Sequence, residues 1–476
     1  MKHQSDYIKF ALPKGRLLSS TANLLEEITL NFRGYSDKTR RYRLRSARFS
    51  HLLAKIFQEK DIPIQVAVGN YDLGICGLDW IEELLARYPA SALVEISSLN
   101  YGEGGIYVVA SHQTGISNID ELSARQSNWR VVSEYPNLAQ GFALNLRMKA
   151  FKIFPVWGAA EVYPPEDANL AILWAKDESE IETQGLIPLM KLLSVNAALI
   201  ANRESLEKRD MNQILKCFSP KLVSKPRANT TVIVGLGRSK HVTFYPPEEA
   251  RRIKLALPDG HQQLPAAQFL KQVGLDIYGY TTGALNRRPS TDLDWLGIKV
   301  IRPQDMPLQV ANGNFDLAIT GTDWLLEHLY RFPSSPVMKL LDLGFGKVKI
   351  VAAVSKDMPI TNVDDLSSFM QSGKIVLLRV ASEYINIADK YLRDNYINPY
   401  RLIPTWGASE AFLPEDADLL IDNIQTGRTL AQHDLKAIDV LFESTACLIG
   451  RKDNVSPPDK KEKTEFLIQT LRRGLL

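Results

Sequence analysis

Cysteine and histidine are scarce in this chain of 476 residues. There are three cysteines, Cys76, Cys217 and Cys447, and seven histidines. Three widely separated cysteines cannot form a disulfide framework, and nothing has the ligand spacing of a zinc site, so no resident metal is expected. No run of about 18 uncharged apolar residues occurs, which excludes a membrane span. The opening MKHQSDYIKFALPKGR reaches Lys14-Gly15-Arg16 before any long apolar stretch and does not read as a signal peptide. An excess of one charge is also missing. Lys plus Arg number 57 and Asp plus Glu 54, a balance of +3, which argues against a protein that coats nucleic acid. The expected setting is the cytoplasm, with neither a membrane nor a nucleic acid as partner.

What is present is ordinary for a globular protein, 45% hydrophobic and 23% charged residues, over a length too great for one core. The chain repeats itself. IKFALPKG from Ile8 returns as IKLALPDG from Ile253. DIPIQVAVGNYDLGICGLDW (Asp61 to Trp80) returns as DMPLQVANGNFDLAITGTDW (Asp305 to Trp324). PVWGAAEVYPPEDANL (Pro155 to Leu170) returns as PTWGASEAFLPEDADL (Pro404 to Leu419). Three blocks in one order at offsets of 244 to 249 residues mark a whole-domain duplication, since a solenoid would repeat every 20 to 50. The expected organisation is a first unit over 1–220, a linker over 221–251 and a second unit over 252–476. Within each copy short apolar strands alternate with amphipathic helices. SSTANLLEEI reads as a helix opened by a Ser/Thr cap, and KIVLLRVA and DLLIDN read as strands. This order predicts α/β layers with mainly parallel sheets, whose ligands sit beyond the carboxyl ends of the strands.

The segment DADLLIDNIQTGRTL carries the sharpest chemistry. Asp418 and Asp422 are four apart on an apolar strand and therefore share a face, where carboxylates can accept from a ribose diol. Thr426, Gly427, Arg428 and Thr429 follow as a small, hydroxyl-bearing turn whose backbone N–H groups can cradle an anion. Two acids and a phosphate cradle suit a sugar phosphate; an ordinary strand end and turn is the plainer alternative. Lys14-Gly15-Arg16, at a strand's carboxyl end, suits phosphate or nucleotide contact, or is a solvated turn. The basic run Lys38 to Arg48 reads as a solvated face or a phosphate contact. Asp316 to Asp323 and its twin Asp72 to Asp79 are cleft-lining loops or structural turns. Trp157 and Trp406 either stack on a base or fill a core.

Together the blocks resemble the ATP phosphoribosyltransferase family, the first enzyme of histidine biosynthesis. The resemblance rests on ALPKGR, RPQDMPLQVANGNFDLAITGTDW from Arg302, LGFGKVKIVAAV from Leu343, WGASE from Trp406 and DLLIDNIQTGRTL. It implies two tandem copies of a two-lobed, periplasmic-binding-protein-like (type II) α/β unit. It also implies attack of N1 of ATP on C1 of 5-phosphoribosyl diphosphate, with magnesium carried on the substrate phosphates. Asp418, Asp422 and the turn Thr426, Gly427, Arg428 and Thr429 would hold the phosphoribosyl group. Arg302 and Arg379 would contact the diphosphate. Lys14, Arg16, Asp316, Gly321 and Glu410 would face the nucleotide. Only 26 residues follow Gly450, which is similar to the family's short form; that form works with a separate regulatory subunit related to histidyl-tRNA synthetase. A homo-oligomer is also implied. A non-catalytic paralogue and a small-anion binding protein are the rival readings.

The copies have diverged in complementary ways. Asp259-Gly260-His261 stands where the first copy has Lys14-Gly15-Arg16. Asn169 and Leu173 stand where the second has Asp418 and Asp422, and Asp177, Glu178, Ser179 and Glu180 replace Thr426 to Thr429. Three acids repel a phosphate, so the first copy is expected to have lost phosphoribosyl binding. A basic residue of the first copy is expected to supply the second with a cation.

Overall fold

The structure, a computed structural model, describes residues 7–30, 32–36, 42–119, 121–122, 128–218, 252–280, 286–425, 427–452 and 458–475. The linker expected over 221–251 lies wholly outside them. The chain forms two compact units. One comprises Met1–Pro155, Ala168–His241 and Thr405–Phe412; the other comprises Val156–Asp167, Val242–Pro404 and Leu413–Leu476. Each unit thus includes a short piece of the other sequence copy.

The first unit holds two sheets. One has six strands in the order Arg43–Arg45, Leu52–Gln58, Ile8–Lys14, Leu73–Gly77, Ala197–Asn202 and Leu93–Ser98. The other has five, in the order Leu186–Val195, Gly104–Ser111, Leu170–Ala175, Asn128–Ser133 and Ala150–Pro155. The second unit repeats the plan. Its first lobe runs Leu296–Ile301, Ile253–Pro258, Leu317–Gly321, Ala446–Arg451 and Val337–Asp342. Its second lobe runs Tyr400–Pro404, Leu378–Ser382, Leu419–Ile424, Val348–Ser355 and Leu435–Ser444. In both units the chain leaves the first lobe, builds the second and returns by one antiparallel strand. The expected α/β, two-lobed, duplicated plan is what the chain adopts.

The sheets are mixed rather than mainly parallel as expected: the returning strands pair antiparallel, while three neighbouring strands in each lobe run parallel, with Ile253–Pro258 in register against Leu296–Ile301 and Leu317–Gly321. Their near-continuous apolar character follows from helices covering the sheet. Ile253, Leu255, Leu257, Leu317 and Ile319 form one core with Phe269 and Leu270, and Leu378, Val380, Leu419 and Ile421 form another with Tyr384, Ile387 and Leu392.

Two local expectations are corrected. The helix Leu18–Glu27 begins without a Ser or Thr cap; the Leu17 N–H instead donates to the Glu59 carboxylate at 3.1 Å. The strand read in KIVLLRVA is shorter, Leu378–Ser382, because Val376 is 79% exposed and has no sheet to cover it.

Candidate active site

In the second unit the carboxyl ends of the strands bring both lobes together around one buried carboxylate. Gly321 ends its strand immediately before the helix Thr322–Arg331. A Cβ there would lie 2.0 Å from Asp323 Oδ1, so only glycine lets this turn close. The Ser444 hydroxyl donates to Asp323 Oδ1 at 2.7 Å and the Tyr384 hydroxyl donates to Oδ2 at 2.7 Å. The Asn423 side-chain amide donates to the Tyr384 oxygen at 2.9 Å. Burial, reinforced by the Asp323 charge, pushes the Tyr384 pKa far above its ordinary value, so the phenol keeps its proton and remains a donor. Trp324 stacks on the Tyr384 ring at 4.3 Å. Asp323 closes the segment that the sequence offered as a cleft-lining loop or a structural turn, whereas Tyr384, Asn423 and Ser444 were not singled out as site residues. Tyr384 and Ser444 lie in segments whose only sequence signal is apolar periodicity.

Beside this network lies the expected phosphoribosyl segment. Asp422 is half-buried near the end of strand Leu419–Ile424 and accepts the Asn423 N–H at 2.7 Å. Gly427 has φ +69° and opens the helix Arg428–Gln432, with no side chain capping it. Arg428 and Thr429 are exposed at its first turn, and Thr426 lies outside the described residues. The first N–H groups of a helix have no partner within it, so this turn presents donors to an incoming anion.

Arg302 follows the strand Leu296–Ile301 at the same end of the fold and is half-exposed, 3.4 Å from Asp259. Arg287 pairs with Asp259 at 2.7 Å. Asp259 replaces the first copy's Lys14, and these two arginines return positive charge to that corner. Arg287 was missed from sequence because its neighbourhood shows no motif.

Several expected site residues are placed elsewhere. Asp418 and Arg379 pair with each other at 2.8 Å at the amino ends of their strands, away from the turn at Gly427. Asp316 precedes the strand Leu317–Gly321 at its amino end. It accepts the Lys254 N–H at 2.8 Å and the Lys460 ammonium at 2.9 Å, which anchors the C-terminal helix Pro458–Arg473. Glu410 belongs to the short turn of helix Ser409–Phe412, which packs in the first unit and not in the second. Trp157 lies edge-on to Trp324 at 5.9 Å, and its backbone N–H donates to the Asp305 carboxylate at 3.0 Å, a packing role.

The first unit's cleft is filled by its own residues. Arg16 pairs with Glu59 at 2.9 Å and with Asp79 at 3.1 Å, and lies 4.3 Å from the ring centre of Trp174. Burial opposes the guanidinium charge, but Asp79 and Glu59 outweigh it and raise the pKa. Tyr135 donates to Asp79 at 2.8 Å, the twin of the Tyr384–Asp323 bond. Lys14 donates to the Tyr42 hydroxyl at 2.8 Å. Both cations expected at the nucleotide, or lent to the second copy, are held inside their own unit; Arg40 and Arg41 of the basic run lie outside the described residues. The first unit's loop is closed as well. Asp177 caps the helix Glu178–Thr183 by accepting the Glu180 N–H at 3.0 Å, and the Glu180 carboxylate accepts the Lys176 N–H at 2.7 Å. Carboxylates hold the N–H groups that a phosphate would need.

Comparison with known sequences agrees with this duplicated arrangement. The family profile described as ATP phosphoribosyltransferase matches residues 58–219 and again 302–473. The chain belongs to the ATP phosphoribosyltransferase family. It is 31% identical over 229 residues to the ATP phosphoribosyltransferase of Pelotomaculum thermopropionicum, covering 47% of this chain and 73% of that one. It is 35% identical over 231 residues to the ATP phosphoribosyltransferase of Saccharolobus solfataricus, covering 48% and 73%. Among solved structures, the ATP phosphoribosyl transferase (HisG:HisZ) complex from Thermotoga maritima aligns with 22% identity and a TM-score of 0.37, over 47% of this chain and 98% of that one. Each relative is therefore matched by about half of this chain. This ATP phosphoribosyltransferase carries two family units, of which the second has the open loop. Among the described residues no helix is long and apolar enough to cross a membrane.

Proposed function

We propose that the second unit alone carries out the family reaction, with phosphoribosyl diphosphate seated on Asp422 and the turn around Gly427. The chain is an ATP phosphoribosyltransferase of the first step of histidine biosynthesis. N1 of ATP forms a bond to C1 of the ribose as the bond from C1 to the diphosphate oxygen breaks, giving N1-(5-phosphoribosyl)-ATP and diphosphate. The transition state resembles an oxocarbenium ribose between two anionic fragments, so alignment and cations on the departing group carry the catalysis. In this reading Asp422 accepts from the ribose hydroxyls. Thr426, Gly427, Arg428 and Thr429 hold the 5-phosphate. Arg302, with Arg287 behind it, faces the diphosphate, which brings its magnesium with it. A cytoplasmic setting, self-association and a separate regulatory subunit belong to the same reading through the family resemblance.

One observation supports the choice of unit. The helix after Gly427 begins without a side-chain cap, whereas its twin after Asp177 is capped by its own carboxylate. The test is turnover with ATP, phosphoribosyl diphosphate and magnesium, followed by diphosphate release, together with direct binding of phosphoribosyl diphosphate. Asp422→Ala and Arg428→Ala should each weaken that binding by about 1.5–3 kcal/mol, the value of a hydrogen bond to a charged group. Unchanged binding in both variants would move the site elsewhere.

A further inference from the structure

The two clefts share a buried carboxylate and a phenol and differ at the next position. Asp79 and Tyr135 in the first unit, and Asp323 and Tyr384 in the second, make the same bond at 2.8 and 2.7 Å. Each phenol is covered by a tryptophan, Trp80 at 4.4 Å and Trp324 at 4.3 Å. The lobe-to-lobe bond is therefore a feature of the fold, present with or without an open loop. At the third position the first unit has Trp174, against which Arg16 packs, and the second has Asn423.

Strand alternation places Asn423 on the face of Leu419 and Ile421, above the core that includes Tyr384, with Asp422 turned to the other face. An amide at the end of an apolar row costs free energy unless it is hydrogen-bonded. It makes a long contact to Asp422 Oδ1 at 3.5 Å and a shorter one to the Tyr384 oxygen at 2.9 Å, and the shorter one is fixed in direction. A carboxylate only accepts, so the single Tyr384 proton goes to Asp323, and the phenol oxygen can only accept from Asn423. The Ser444 hydroxyl fills the other Asp323 oxygen. The result is a one-way chain from Asn423 through Tyr384 to Asp323, running from the strand that leads into the phosphoribosyl turn to the lobe that carries Gly321.

We propose that Asn423 is a positioning residue of the second cleft, holding the Asp422 strand end and the turn after it in register with the opposite lobe through Tyr384 and Asp323. The inference rests on the reading that seats phosphoribosyl diphosphate at that turn. Reactant alignment is the main catalytic requirement of this transfer, and a displacement of about 1 Å can cost on the order of a hundredfold in rate. Loss of the amide therefore acts on turnover more than on ground-state binding.

The experiment uses the full chain with Asn423→Leu, Tyr384→Phe, the double variant, and Tyr135→Phe as the twin in the first unit. For each, kcat, KM and the Kd for phosphoribosyl diphosphate are measured. Asn423→Leu is expected to lower kcat about tenfold or more while Kd stays within about threefold. Tyr384→Phe should do the same, and the double variant should be no worse than the poorer single, because both break one chain. Tyr135→Phe should leave kcat within about twofold. A wild-type kcat in Asn423→Leu, losses that multiply in the double variant, or a kcat loss in Tyr135→Phe equal to that in Tyr384→Phe would each overturn the proposal. Asp422→Ala separates the two readings. If it weakens phosphoribosyl diphosphate binding about tenfold or more while Asn423→Leu is silent, only the positioning role fails; if it and Arg428→Ala both bind normally, the seat itself is wrong.

Discussion

Arg379 grips Asp418 from three directions. Its Nε and a terminal nitrogen lie 3.1 and 2.8 Å from the carboxylate, and its own backbone N–H donates to the same group at 2.9 Å. The bond to Asp418, set against partial burial, raises the guanidinium pKa. The first unit has the neutral form of this contact, with the Asn169 side chain accepting the Arg130 N–H at 2.8 Å. The pair is thus a clasp between neighbouring strands at their amino ends. Asp418→Ala should lower stability by about 1.5–3 kcal/mol in urea titration and leave phosphoribosyl diphosphate affinity unchanged. A tenfold loss of affinity would return Asp418 to the substrate site.

The closed loop of the first unit gives the opposite kind of variant. Asp177→Ala should cost the first unit about 1 kcal/mol through loss of its helix cap. Affinity for phosphoribosyl diphosphate, measured calorimetrically on the full chain, should not change for alanine at Asp177, Glu178 or Ser179. A weakening of about 1.4 kcal/mol, or tenfold, from any of them would make the first cleft a working site.

Asp61 should make the first unit's stability depend on pH. It is 1% exposed, and burial drives its pKa up to about 8; the Lys60 charge and the Trp406 backbone N–H offset only part of that cost. A carboxyl with a raised folded-state pKa binds its proton more tightly when folded. Its stabilising contribution is complete below pH about 4 and is lost as pH rises through about 8, by up to roughly 1.4 kcal/mol per pH unit. Asp61→Asn should flatten that slope in thermal melts between those limits and should be the more stable form at pH 8. A wild-type slope in the variant would assign the pH dependence to other groups.

Asp167 tests the exchanged segments. It lies in Val156–Asp167, the piece of the first copy that packs in the second unit, and it is 1% exposed. It meets Lys299 at 2.6 Å and Lys254 at 3.2 Å, while the neighbouring Glu166 pairs with Lys299 at 2.9 Å. Burial favours the neutral form of Glu166, but Lys299 and Arg288 outweigh it and hold its pKa at about 2. Asp167→Ala leaves a nearly buried ammonium short of one counter-charge and should cost roughly 3 kcal/mol in denaturant. Residues 252–476 expressed alone lack the whole segment and should melt well below the full chain. Equal melting of fragment and full chain would show the segment to be dispensable.

The primary sequence by itself determined the duplication, the alternation of strand and helix, and the contrast in charge between the two loops. Those are local properties: repeats are read directly, periodicity follows from backbone geometry, and three acids within four residues, Asp177 to Glu180, repel phosphate in any fold. Strand period also predicted that Asp418 and Asp422 share a face. It could not say which of them stands at the cleft, because a face is set by alternation, whereas an end is set by what the strand runs toward. At about 3.3 Å per residue the two carboxylates are separated by some 13 Å along the strand, and only one reaches the carboxyl end. Tertiary structure alone decided that Arg16 and Lys14 are held within their own unit, that Arg287 stands beside Asp259, that Glu410 belongs to the first unit, and that Asn423 meets Tyr384, which meets Asp323. Each of these depends on residues apart in the chain that only folding brings within reach, and the Tyr384–Asp323 bond further needs the two lobes to meet; no local pattern encodes such a meeting.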